Sequence, residues 1–353
     1  MREAAGIIGA LSFHEGKQMA ELTRRAFLEK ATAVTAAGIA LSGATGVWGA
    51  ERPDERPSEG GAAEPHIAFP RAPRERIAVS SYPFRAYINS PARRNRGGST
   101  ANGAPNGQKM DLTEFPAEVA KEFNVSHIEP NSRHFMSTDA AYLDRFSDAL
   151  AKAGVKVANI AVDGRGSFYD PDAAVRAEAI RNAKNWVDVA VHIGSPSIRA
   201  HVAGSRNSGP DVGRAAESLK EAADYGAQKN VVINLENDDP KSEDAFFIVK
   251  VIEAVNHPYL HALPDFANSM LNGDADFNYR ALTAMFQHAY CICHVKDGED
   301  DDNGKLLTID IKKSFEILKA SGYRGFCSME FDASGDPYAA THKLIDETLK
   351  YLA

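Results

Sequence analysis

Four residues able to hold a metal ion or move a proton recur at the ends of short apolar runs in the second half of this 353-residue chain. Glu236 closes VVINLE, Asp265 closes HALPD, His294 closes CICH and Glu330 closes FCSME, at intervals of 29, 29 and 36 residues. Each interval is about one strand-plus-helix unit, so the four occupy matching places at the C-terminal ends of successive strands and converge on one mouth. Three carboxylates gathered there repel one another unless a cation sits among them. Three oxygen donors and an imidazole suit one divalent ion, with Mn²⁺, Mg²⁺, Co²⁺ and Zn²⁺ all compatible. Lys296 shares the face of His294 by the two-residue period of a strand and is placed to reach a substrate oxygen. Asp297, on the opposite face, reads as a helix-side or supporting residue. Glu129 and His134, after the second apolar run, and Arg199 and His201, on one face of the fourth, are further candidates for substrate contact. His261 lies deeper on the face of Asp265 and reads as structural, as does Trp186 within a helical pattern.

The elements that must carry these residues alternate. Strands are expected at 76–82, 125–130, 155–162, 197–202, 230–237, 260–266, 291–297 and 325–331. Between and after them lie segments whose apolar residues recur at three and four, as in AAYLDRFSDALAKAG and IKKSFEILKASG. Gly154 and Gly322 fall where helix C-caps belong. Eight strands alternating with eight helices imply a parallel sheet with helices outside. Their extent, residues 76–353, matches a (β/α)8 TIM barrel, whose usual size is about 250 residues. No G-x-G-x-x-G follows the first strand, which argues against an open dinucleotide-binding sheet. Residues 89–111, rich in Gly, Asn and Pro, form a long connection at the mouth, read equally well as a lid or as an unstructured insertion.

Composition bounds the partners. The chain is 44% hydrophobic and 25% charged, with a net charge of −8. This acidic balance argues against nucleic acid, for which a basic face is expected. Three cysteines give no disulfide framework. Cys291 and Cys293 alternate with His294 and so face away from it, as buried thiols. At the N-terminus, TRRAFLEK (residues 23–30) precedes a mild Ala/Gly-rich run, the pattern of a twin-arginine export signal over residues 1–50. Translation then starts at Met1 or Met19, cleavage falls near residues 47–50, and the protein is expected to be exported to the periplasm by the twin-arginine translocation machinery. If uncleaved, the run would serve as a weak membrane anchor. Residues 51–75 read as a Pro- and charge-rich linker.

The motifs INLEND, LPDFANS, HVKDGE and SMEFD occur in the order found in the xylose isomerase-like TIM barrel superfamily of sugar isomerases and epimerases, which residues 76–353 resemble. The resemblance implies one divalent metal held by Glu236, Asp265, His294 and Glu330. It also implies that Glu236 and Glu330 flank a small sugar or keto-sugar and carry its proton between them. Homo-oligomers are common in the family. Two departures stand out. Asn268, expected at the substrate, replaces a histidine carried by many epimerase members three residues after the metal-binding Asp, and Asp300 to Asp302 stand where an arginine is usual. The expected activity is therefore isomerisation or epimerisation of a sugar. The alternatives are a keto-sugar or keto-glycoside lyase or dehydratase on the same metal site, and a non-catalytic periplasmic carbohydrate-binding protein.

Overall fold

Eight short, buried strands alternate with eight amphipathic helices, as the hydrophobic pattern requires. The computed structural model describes residues 63–91, 109–301 and 303–353. The export signal, residues 51–62 of the linker and residues 92–108 of the long connection lie outside the described residues. The strands are β1 (Ile77–Ser80), β2 (His127–Glu129), β3 (Lys156–Val157), β4 (Ile160–Val162), β5 (Ser197–Ala200), β6 (Val232–Glu236), β7 (Leu260–Leu263), β8 (Ile292–Val295), the hairpin pair β9 (Gly298–Asp300) and β10 (Leu306–Thr308), and β11 (Phe326–Met329). Two parallel sheets, ordered β3-β2-β1-β11-β8 and β4-β5-β6-β7, make up the wall. Single bridges join them. Asn131 pairs with Ala161 at one seam, and Ala262 with Ala289 and Asp265 with His294 at the other. The expected strand 155–162 breaks at Ala158–Asn159, giving β3 to one sheet and β4 to the other, and the ring closes as a (β/α)8 barrel.

The outer ring is α1 (Phe115–Phe123), α2 (Ala140–Ala153), α3 (Ala173–Ile193), α4 (Val212–Lys229), α5 (Ala245–Val255), α6 (Ala275–Phe286), α7 (Ile311–Ala320) and α8 (Pro337–Leu352). Helices α2 to α8 each begin after an aspartate whose carboxylate accepts from first-turn amides. These caps satisfy otherwise orphaned donors and complement the helix dipole. Part of the chain's acidic surplus is therefore spent on helix starts. Gly154 closes α2 at φ 66°, as expected from its position, and Gly322 lies one residue beyond the cap of α7 at φ 75°.

Inside the barrel the layers differ in polarity. Ala78, Ala158, Val232, Leu263, Ile292 and Phe326 form an apolar floor. Above it Ser80, Glu129, Asn159, Ser197, Asn234 and Ser328 are all fully buried. The stretch expected to end the linker is fitted to the floor instead. Ile67 and Phe69 pack against it, and Phe69 lies edge-on to Tyr290 and Phe326 with centroids 5.3 and 5.9 Å away. His66 exchanges backbone bonds with the Asn230 side chain, and Arg76 donates to the carbonyls of Gly325 and Tyr323. Two apolar residues among prolines and charges carry no periodicity, so composition alone reads them as linker. At the other end of the barrel, the long connection is pinched at its base by a bridge between Ile88 and Met110. None of the described helices is long and apolar enough to cross a membrane.

Candidate metal centre

Glu236 ends β6, His294 lies in β8, and Asp265 and Glu330 directly follow β7 and β11. One donor atom from each lies within 4.8 Å of all the others, and all four residues are buried. His294 Nδ1 is 2.8 Å from Glu236 Oε1, 2.9 Å from Glu330 Oε2 and 3.8 Å from Asp265 Oδ2. Donors about 2.1 Å from a Mg²⁺-sized ion stand roughly 3 Å apart around it, so these spacings fit one ion. The Asp265 carboxylate gives a second test of fit. Its Oδ1 accepts from the amides of Ala267 and Asn268 at 2.9 and 2.8 Å. Its Oδ2 is buried without a hydrogen bond and faces the cluster. A buried carboxylate oxygen left in this state is costly, and a cation would satisfy it. The donor set is hard oxygen plus imidazole, as the sequence led us to expect.

The two glutamates are supported differently. Glu236 turns Oε2 to the Arg199 guanidinium at 3.2 Å, and its Oε1 also lies 3.3 Å from Asn268 Nδ2. Burial raises its carboxyl above the usual range, opposed only in part by His294 and Arg199. Glu330 accepts from Ser80 Oγ at 3.3 Å and has Lys296 Nζ 3.5 Å from Oε2. There burial is outweighed by His294 and Lys296, which hold the carboxyl down at about 2. Burial thus dominates at Glu236 and the neighbouring positive charges at Glu330. Burial pushes Asp265 up to about 6, with Lys296 opposing.

The remaining expected residues divide into those at the cluster and those beside it. Lys296 is there, 3% exposed, donating to Asn268 Oδ1 at 2.8 Å and Glu299 Oε2 at 3.1 Å, and 3.5 Å from Asp265 Oδ2. Asn268 is there too, bridging Lys296 and Glu236. Arg199 Nη1 lies between two carboxylates, 3.2 Å from Glu236 Oε2 and 3.1 Å from Asp238 Oδ2. His201 pairs with Glu243 at 2.9 Å and Asp238 at 3.4 Å. Burial would lower the His201 pKa, but these two carboxylates overcome it and push the imidazolium up to about 10. His201, Asp238 and Glu243 also have ligand-like spacing. However, Arg199 Nη1 stands 3.5 Å from His201 Nδ1 and 3.1 Å from Asp238. That fixed cation makes the group an ion-pair network rather than a second metal site.

Glu129 and His134, expected to contact substrate, are placed elsewhere. Glu129 is fully buried inside the barrel, with both carboxylate oxygens against His294 Nε2, the ring nitrogen on the far side from the cluster. His134 sits in the short turn Ser132–His134, 3% exposed, with Nδ1 2.8 Å from Ser81 Oγ. Asp297 pairs with Lys343 of α8, on the helix side. His261 stacks on Tyr290 near the floor. The three cysteines are buried, with Cys293 Sγ 3.7 Å from Cys327 Sγ. Sequence reasoning missed Glu299, which the hairpin returns to Lys296 and which burial pushes up to about 7. It also missed Tyr82, which carries the Arg85 guanidinium 4.4 Å over its ring while Arg85 pairs with Asp332.

A family model described as the xylose isomerase-like TIM barrel matches residues 117–353. The chain belongs to this family. No curated protein sequence matches it significantly. Several solved structures share the xylose isomerase-like barrel. The 3-keto-D-glucoside 4-epimerase of E. coli is 14% identical with a TM-score of 0.55, over 77% of this chain and 98% of that one. A xylose isomerase-like TIM barrel protein of Mycobacterium smegmatis, solved with magnesium, is 15% identical with a TM-score of 0.58, over 78% and 96%. The D-allulose 3-epimerase of Methylomonas sp., solved with D-allulose, is 15% identical with a TM-score of 0.57, over 79% and 97%. Likeness at these identities establishes the shared fold.

Proposed function

We propose that this xylose isomerase-like protein is a divalent-metal-dependent isomerase or epimerase of sugars or keto-sugars. The observation that carries the reading is the convergence of Glu236, Asp265, His294 and Glu330, buried and with donor atoms within 4.8 Å of one another, with Glu236 and Glu330 at 2.8 and 2.9 Å from His294 Nδ1. An ion held by Glu236, Asp265, His294 and Glu330 would supply the charge that acidifies a C–H beside a carbonyl. Glu330, ionised across the neutral range, serves as the base that takes the carbon-bound proton. Glu236, on the other carboxyl position of the cluster, would return a proton to the opposite face for epimerisation, or to the neighbouring carbon for isomerisation, the latter with the hydroxyl proton passing to the former carbonyl oxygen. Lys296, beside Asp265 and Glu330, would be the nearest ammonium to a substrate oxygen at the cluster. Arg199 and Lys296 are already committed to protein carboxylates, which favours a neutral sugar over a phosphorylated one. The substrates of the E. coli and Methylomonas neighbours, a 3-keto-glucoside and a ketohexose, define the compounds to try first, and magnesium in the M. smegmatis neighbour supports a divalent ion. The arginine pair in TRRAFLEK supports export through the twin-arginine route.

The test is proton exchange. The metal-loaded protein is incubated with 3-keto-glucosides and ketohexoses in D₂O, and deuterium incorporation is followed by NMR. Exchange without loss of water or aglycone supports the proposal, and each of Glu236→Gln and Glu330→Gln should cut it by about 10²–10⁴-fold. Loss of water or aglycone would instead indicate a lyase working on the same centre. Binding of sugar with no exchange under any metal would reduce the protein to a binder and refute the proposal.

A further inference from the structure

The cluster at the mouth accounts for one side of the His294 ring. A chain of buried polar side chains holds the other side. His294 Nε2 lies 3.1 and 3.0 Å from the two oxygens of Glu129. Asn159 Nδ2 donates to Glu129 Oε1 at 2.7 Å. Asn159 Oδ1 in turn accepts from Ser197 Oγ at 2.7 Å and from Asn234 Nδ2 at 3.3 Å. The chain crosses the barrel from β8 through β2, the β3–β4 break and β5 to β6. Glu129, Asn159, Ser197 and Asn234 all show 0% exposure. Barrel interiors are usually packed with branched apolar side chains, and here a buried polar chain replaces them, with Asn234 Oδ1 at its end left without a hydrogen bond.

Among the described residues, His294 is the one titratable basic side chain within ion-pair distance of Glu129. A buried carboxylate with no lysine or arginine beside it is expensive unless it is hydrogen-bonded and neutralised through its partner. Glu129 and His294 therefore act as one unit. With the Nε2 proton committed to Glu129, the ring's lone pair lies on Nδ1, the nitrogen that faces Glu236, Asp265 and Glu330. We propose that Glu129 is a positioning residue that keeps the His294 proton on Nε2 and so presents Nδ1 as the ligand atom of the metal centre. This rests on the metal-centre reading above. A carboxylate in this place also makes the imidazole a stronger donor.

Glu129→Gln is the discriminating substitution. Asn159 Nδ2 points at Oε1, so it draws the new amide oxygen to that place and leaves the NH₂ where Oε2 stood, 3.0 Å from His294 Nε2. The change removes the carboxylate's charge and sets a donor against the Nε2 proton, which weakens the hold on that proton. The Mn²⁺ affinity of the full chain is measured by titration calorimetry for wild type and variant. A 10- to 100-fold loss in the variant is expected. Wild-type binding with a variant unchanged within about threefold overturns the role of Glu129 and leaves the metal centre standing. Absence of Mn²⁺ binding by the wild type overturns the metal centre itself, and the inference with it. If the variant does not fold, ¹⁵N NMR of the Zn²⁺-loaded wild type decides. A His294 proton on Nε2 supports the inference, and one on Nδ1 overturns it.

Discussion

Lys296→Met tests how far the buried charges at the mouth depend on one ammonium group. Methionine keeps most of the volume, so the change is mainly electrostatic. The Lys296 ammonium stands between three carboxylates, 3.1 Å from Glu299 and 3.5 Å from both Asp265 and Glu330, and is 3% exposed. Removing one partner from a buried ion group costs about 3–5 kcal/mol, because the charges left behind stay desolvated. Here the lower end applies. Burial already pushes Glu299 up to about 7 and Asp265 up to about 6, and without the ammonium both rise further and shed charge by taking up protons. Metal-free protein at pH 8 should thus lose about 3 kcal/mol, a large share of the 5–15 kcal/mol that holds a typical domain together. Protonation of both carboxyls as the pH falls from 8 to 6 should shrink the deficit. Added Mn²⁺ should shrink it too, since the ion brings positive charge to the same oxygens. Urea unfolding with and without EDTA measures each case. A loss under about 1 kcal/mol in the metal-free protein at pH 8 would refute the picture of Lys296 as the counter-charge of this cluster.

Further outcomes follow from other parts of the molecule. Asp265→Ala should abolish stoichiometric divalent-metal content, measured by elemental analysis of the purified protein, while leaving its far-UV circular dichroism unchanged. The His201 imidazolium, held at about 10 when folded against 6.5 when free, contributes stability that is fully present below pH 6.5 and is lost as the pH rises through 10. The stability gap between wild type and His201→Gln should therefore be widest below pH 6.5 and close near pH 10 in urea titrations. Phe69→Ala, at the barrel floor, should lower stability by about 2 kcal/mol, less than a fully buried phenylalanine, and leave metal affinity unchanged by calorimetry. Gly325→Ala would set a Cβ 2.4 Å from the Cys291 carbonyl oxygen and 2.5 Å from that of Tyr290. It should cost about 3 kcal/mol or more, read as a fall in Tm.

The barrel was legible because parallel strands buried on both faces read as continuous apolar runs, and helices between them repeat at three and four. The four cluster residues were legible for the same reason. Each is the first strongly polar side chain after such a run, and barrel topology turns equal positions into proximity. What was hidden depends on three-dimensional level rather than order. Glu129 also ends an apolar run, and only its depth, level with His294 and under the mouth, turns a candidate contact into a support. Glu299 sits in KDGED, which reads as a turn. The three-residue strands β9 and β10 are too short to show a period, and Gly298 lets them close, since a Cβ there would meet the Leu307 carbonyl oxygen at 2.8 Å. Glu243, just before α5, is buried against His201, a placement that no local pattern shows.

The seam between β7 and β8 has a consequence for how the protein breathes. The wall there is held by few bonds, among them the His294 amide to the Pro264 carbonyl at 3.0 Å and the Phe266 amide to the His294 carbonyl at 3.2 Å. Asp265 and His294 face each other across that gap. Whatever grips both side chains sutures the barrel along a thinly bonded line. Hydrogen exchange at the amides of Phe266 and His294 then becomes a gauge of occupancy, slow when the suture is tied and faster when it is cut, in a region where local opening governs exchange.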